Sequence, residues 1–234
     1  IRSDKCLNEK DGETCYSMAY SHIKDGELIN PEQFRKWSEL GCEYGSLEAC
    51  YSLGTFWRKG DGGEADKEMA CKYYNKGCKK NKLGLTKIVE DSCFMYATMK
   101  SAGDGCLKDI DGAIEIYKML CENKDMLSCQ RLGDIFLYQK DEMLKKSISY
   151  YDKGCSNNFL SSCVGAGIVM SKLGKLSKIR LYLEKSEKLI HSATANDFYN
   201  IACLFSENGD VEKSLNYLST VSYTHLTLPT KRIV

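Results

Sequence analysis

Thirteen cysteines in 234 residues are the side chains most able to do chemistry here, and their spacing repeats. Seven residues separate Cys42 from Cys50, Cys121 from Cys129 and Cys155 from Cys163, and looser pairs stand at Cys6/Cys15 and Cys78/Cys93. The second members, Cys15, Cys50, Cys93, Cys129 and Cys163, follow one another at intervals of 35, 43, 36 and 34 residues. A period in the mid-thirties marks a stacked array of small structural units. Three chemistries could use such pairs. A hairpin can bring two Cα atoms within the roughly 4.4–6.8 Å that a disulfide needs. Reduced thiols could instead fill the core as small apolar groups. Zinc wants four ligands in closer pairs or with histidine, and outside the C-terminal tail the only histidines are His22 and His191.

The elements that must position these cysteines read as two helices per period. After Cys50, Leu53, Phe56 and Trp57 fall on one side at helical spacing. A turn with Gly60, Gly62 and Gly63 follows, and Ala70, Tyr73 and Tyr74 begin a second apolar stripe. The next unit repeats the pattern 43 residues later, with Gly103, Gly105, Asp109, Ala113, Tyr117 and Cys121 standing for Gly60, Gly62, Asp66, Ala70, Tyr74 and Cys78. The unit after that keeps Leu132, Gly133, Phe136, Tyr150, Tyr151, Gly154 and Cys155. Small residues at Ala19, Gly54, Ala97, Gly133 and Gly167 mark close helix crossings. Only Pro31 and Pro229 interrupt the chain as prolines, which suits this helical reading. The expected fold is all-α, an α-solenoid of antiparallel helix pairs wound into a superhelix.

The run Leu53-Gly54…Gly60-x-Gly62…Asp66…Ala70-x-x-Tyr73-Tyr74-x-Lys76-Gly77-Cys78 resembles the Sel-one-like repeat (SLR). Its cysteine-bearing form is similar to the Helicobacter cysteine-rich proteins, which are built from disulfide-bridged helix pairs. The resemblance covers about residues 6–165. It implies five bridges, Cys6–Cys15, Cys42–Cys50, Cys78–Cys93, Cys121–Cys129 and Cys155–Cys163, and hence an oxidising compartment, periplasmic or secreted. Residues 1–194 are expected to form the SLR array, its last unit degenerate. Residues 195–220 resemble a tetratricopeptide pair through Tyr199, Ala202, Gly209-Asp210 and Ser214. Cys6 closes a helix with only five residues before it, which reads as an array continuing upstream. Val221–Thr230 reads in one frame as the translation of a transposase mosaic-end sequencing adapter, so 221–234 is expected to be a non-native tail.

Three cysteines fall outside the pairing rule: Cys71 and Cys203 as expected buried fillers, and Cys106 as the candidate exposed thiol. The resemblance also raises β-lactam binding or hydrolysis, because some cysteine-rich relatives have been linked to it. The sequence offers one Ser-x-x-Lys, Ser21 to Lys24, and neither of the other elements such serine enzymes use. We expect no catalytic residue, no metal and no cofactor. The expected function is a protein-interaction scaffold; a reduced cytosolic adaptor is the reading left if the thiols are free. Stacked helix pairs expose their first helices on a concave face, which places Tyr16, Tyr51, Phe94 and Gln130 in one row. Tyr20, Thr55, Thr98 and Asp134 form a neighbouring row, with Arg58 at the rim. Aromatic side chains there suit a protein or peptide partner. The charge balance, 33 Lys and Arg against 32 Asp and Glu, gives no electrostatic reason for nucleic acid. No apolar run is long enough to span a membrane. Lys79, Lys80 and Lys82 are expected in a solvated loop, and nothing in the sequence sets the oligomeric state.

Overall fold

A computed structural model describes residues 2–79 and 85–226. Its helices are α1 (Arg2–Asn8), α2 (Gly12–Tyr20), α3 (Pro31–Glu43), α4 (Leu47–Lys59), α5 (Lys67–Gly77), α6 (Lys87–Ala102) and α7 (Ile110–Glu122). They continue as α8 (Met126–Leu137), α9 (Leu144–Ser156), α10 (Leu160–Lys172), α11 (Leu176–Lys188), α12 (Ala195–Glu207) and α13 (Val211–Leu226). Two short strands, β1 (Ile23–Lys24) and β2 (Glu27–Leu28), form an antiparallel hairpin between α2 and α3. The fold is an all-α solenoid of antiparallel helix pairs. It divides into two compact units, residues 1–120 and 121–234. Of the adapter-like stretch, 221–226 continue α13 and 227–234 lie outside the described residues, as do Lys80 and Lys82; Lys79 is exposed.

Helix boundaries follow from local hydrogen bonding. Asp11, Asn30, Ser46, Asp66 and Asp125 each accept a backbone N–H of the helix they precede. That satisfies one of the donors a helix start leaves open. Thr194 and Asp197 form a reciprocal capping box at α12. Gly60 and Gly103 end α4 and α6 with φ of 76° and 75°, the left-handed conformation glycine adopts without a Cβ clash.

Five bridges cross the junctions between one pair's second helix and the next pair's first. Their Cα–Cα distances are 4.9 Å for Cys6–Cys15, 4.7 Å for Cys42–Cys50 and 4.4 Å for Cys78–Cys93. Cys121–Cys129 spans 4.8 Å and Cys155–Cys163 4.5 Å. Close packing accompanies them. A Cβ added to Gly77 would lie 2.6 Å from the Ser92 hydroxyl, and one on Gly154 would strike Ser162. The glycine before the closing cysteine therefore lets the next helix approach.

A sixth bridge corrects the expectation for two leftover cysteines: Cys71 pairs with Cys106, Cα–Cα 5.7 Å. It ties α5 to the loop entering α7, where Lys67 also meets Asp104 at 2.8 Å. Cys106 is thus neither free nor an ordinary turn residue, and Cys71 is a bridge rather than a filler. Cys203 is a free thiol and exposed, not buried. Both sulfurs of Cys71–Cys106 belong to half-buried residues, whereas each junction bridge has at least one fully enclosed cysteine. Accessible bridges exchange fastest with an attacking thiolate. Limiting reductant followed by alkylation should therefore label Cys71 and Cys106 before any junction cysteine. Peptide mapping that found a junction pair opened first would contradict this.

In the first unit the core is a chain of small clusters between neighbouring helices. One joins Ala19, Phe34 and Phe56 with Ile23, Leu28 and Trp57. Another joins Ala70, Tyr74 and Met99 with Tyr51 and the Cys71–Cys106 bridge. The second unit has one larger core around α10, which buries Leu160, Val164, Val169 and Met170 against Tyr151, Ile179, Leu183, Ile201 and Leu204.

Candidate functional site

Three helix pairs, α4 with α5, α6 with α7 and α8 with α9, are each locked by one buried phenol. Tyr74 of α5 meets the Thr55 hydroxyl at 3.1 Å, and Tyr117 meets Thr98 at 2.9 Å. In the second unit Tyr151 donates to Asp134 Oδ1 at 2.5 Å. Burial pushes the Tyr151 phenol far up, and the Asp134 carboxylate adds to that. Burial also raises Asp134, partly offset by the Tyr151 hydrogen bond. Thr55, Thr98 and Asp134, the row expected to face a partner, each place one polar atom in the hydrogen bond that holds their own helix pair together. The rings fit because glycine makes room: a Cβ on Gly54 would sit 2.6 Å from the Tyr74 ring, and one on Gly133 2.7 Å from that of Tyr151.

The aromatic row of the first unit divides in use. Tyr16 on α2 shares a 2.7 Å hydrogen bond with Ser52 on α4, and burial raises its phenol. Tyr20 stacks edge-on against Tyr16 and stays 59% exposed. Phe94 of α6 packs edge-on against Tyr117. Arg58 is exposed in the last turn of α4. Gln130 is half-buried on α8 in the second unit, as is Asp134.

Tyr51 and Thr55 come together in a cavity of about 220 Å³. Its walls are the hairpin (Ile23, Gly26, Leu28), Phe34 of α3, Phe56 of α4 and the rim residue Asp61. Phe34 and Phe56 stack at 5.8 Å between centroids, forming an apolar floor. Ile23 pairs directly with Leu28, and side chains of such a pair lie on the same face of the hairpin. Sequence reasoning placed Tyr51 and Thr55 on a first-helix face but missed the hairpin wall. The signal was present: Asp25-Gly26 between Ile-Lys and Glu-Leu is a two-residue hairpin turn. Both turn residues have positive φ, 53° and 83°.

The Ser21 hydroxyl, the one serine with a lysine three positions on, donates to the Met18 carbonyl at 2.6 Å. Among the described residues, no group of three or more His, Cys, Asp or Glu could hold a metal ion. No described helix is long and apolar enough to cross a membrane.

The family signature described as the Sel1 repeat matches residues 47–82 and 90–125. The chain carries Sel1 repeats. The first stretch contains α4 and α5 and the second most of α6 with α7, the two pairs with the Thr–Tyr lock. Solved structures agree on the fold. A protective antigen of uropathogenic Escherichia coli that displays an SLR fold superposes with a TM-score of 0.74 at 19% identity, over 93% of this chain. The chain spans about half, 47%, of that antigen. A Sel1 repeat protein of Oxalobacter formigenes gives a TM-score of 0.70 at 18% identity, covering 91% of this chain and 86% of its own. A curated relative, cytochrome c oxidase assembly factor 7 of Xenopus tropicalis, is 28% identical over 200 residues, 82% of each chain.

Proposed function

We propose that this Sel1 repeat protein is a non-catalytic scaffold that binds polypeptide segments in an oxidising compartment, periplasmic or secreted. The observation that carries the reading is the cavity between the hairpin and α4, walled by Tyr51, Phe34, Phe56, Ile23 and Leu28. A concave, mostly apolar site with a few polar groups, here Ser52, Thr55 and Asp61, is the form that anchors one large side chain. Tyr16 and Phe94 extend the same aromatic row along the first helices of this unit, Tyr20 stands in the neighbouring row, and Arg58 supplies a cation nearby. In the second unit Gln130 and Asp134 hold the corresponding positions. Six bridges among thirteen cysteines favour an oxidising compartment, since cytosolic thiols are kept reduced. An assembly role of the kind in the Xenopus relative's name would use the same surface to hold a polypeptide client.

Panning a random twelve-residue phage library on the disulfide-intact chain tests the reading. Peptides should be recovered whose affinity falls at least tenfold with Tyr51→Ala, while helicity and the disulfide map stay unchanged. Recovery of no peptide, or of peptides indifferent to Tyr51→Ala, would overturn it.

A further inference from the structure

Among the described residues the hairpin beside the cavity pairs with no third strand. Lys24 pairs with Glu27 across the two-residue turn, and the Ile29 N–H donates to the His22 carbonyl at 2.9 Å. Hydrogen-bonded and non-hydrogen-bonded pairs alternate along an antiparallel ladder. The intervening pair, Ile23 and Leu28, is therefore the non-hydrogen-bonded one, and its N–H and C=O groups point outward from the two edges. Outward backbone N–H and C=O groups on a sheet edge can pair with one more strand. Ile23 and Leu28 also line the cavity, so the free backbone groups and the apolar anchor site belong to the same two residues. Asp25, Glu27 and Asp61 are exposed at the hairpin and the cavity rim, with Lys24 on the hairpin and Arg58 and Lys59 in the last turn of α4 as the cations around them.

We propose that the polypeptide partner binds as an added β-strand on this hairpin, placing one large apolar side chain in the cavity and a neighbouring Lys or Arg near Asp61. The inference rests on the polypeptide-binding reading above and deepens it by naming the conformation and chemistry of the ligand. Backbone hydrogen bonds to the hairpin edge supply affinity in any sequence. The cavity and the acidic rim select for an apolar residue beside a basic one. A strand alternates its two faces and its two hydrogen-bonding edges with a period of two, which a helical or irregular ligand does not share.

The test uses the peptides recovered by panning, made synthetically with single N-methyl groups at successive backbone amides. Added-strand binding predicts a loss of at least tenfold at the one amide that donates to the edge carbonyl of Ile23 or Leu28, and near-full affinity at the amides on either side of it. It also predicts slowed amide hydrogen exchange at Ile23 or Leu28 in the complex. Asp61→Lys, an exposed substitution, should weaken binding at least fivefold, and the peptides should be enriched in Lys or Arg. Peptides that need Tyr51 yet show no single sensitive amide and no protection of Ile23 or Leu28 would overturn the strand proposal and leave the polypeptide site standing. Unchanged affinity for Asp61→Lys would overturn the stated ligand chemistry. Failure to recover any Tyr51-dependent peptide would overturn both readings together.

Discussion

Full reduction under native buffer is expected to abolish the cooperative thermal transition of this chain at 25 °C. Each junction bridge that closes a loop of eight or nine residues contributes about 2.5 kcal/mol in the chain-entropy model, and the longer Cys71–Cys106 closure somewhat more. Together the six amount to on the order of 15 kcal/mol, against a typical domain stability of about 5–15 kcal/mol. A repeat array is exposed to this loss because each repeat touches only its neighbours. The small clusters of the first unit, such as Ala70, Tyr74 and Met99, show how little apolar mass holds each junction. Circular dichroism melts with and without a phosphine reductant measure the effect. A reduced chain that kept its helicity and its cooperative melt would mean the cysteines act as core fillers, as in a reduced cytosolic adaptor.

Gly133→Ala and Gly165→Ala are each expected to destabilise the second unit by about 1–3 kcal/mol through overpacking. Helix propensity alone predicts the opposite sign, since alanine gains about 1 kcal/mol over glycine in a helix interior. Packing decides the outcome here. The Tyr151 ring is 1% exposed, and glycines from two helices face it, Gly133 on α8 and Gly165 on α10. A Cβ on Gly133 would lie 2.7 Å from ring carbons, and a Cβ on Gly165 would also fall inside contact distance of them. The ring has little room to retreat, and any shift strains its hydrogen bond to Asp134. Urea denaturation of the oxidised protein reads the change; an unchanged or higher midpoint for both variants would show that the slot is looser than the contacts imply.

Much of the fold was legible in sequence because it repeats. The glycine before Cys42, Cys78 and Cys155, the turn glycines after α4 and α6, and the tyrosine one helix later recur at nearly fixed offsets, so one repeat interprets the next. The Cys71–Cys106 bridge escaped because the pairing rule joins neighbours across a junction, whereas this pair lies 35 residues apart. That separation matches one repeat, and the loop before α7 brings the pair together by docking on α5. Thr55, Thr98 and Asp134 fell on the outward row by helical register, but register does not reveal that a tyrosine from the paired helix reaches across to them. The cavity was hidden for a different reason. The hairpin at residues 23–28 is an interruption of the repeat, and its Asp-Gly turn carries no helical period to follow.

The most direct measurement is an amide and methyl NMR titration of the isotope-labelled, disulfide-intact chain with a peptide obtained by panning. The account predicts perturbations clustered at Ile23, Leu28, Phe34, Tyr51, Ser52 and Phe56, with the residues of α10 and α11 unchanged. Perturbations confined to the second unit, or spread without any focus on the hairpin and α4, would contradict a polypeptide site at this cavity.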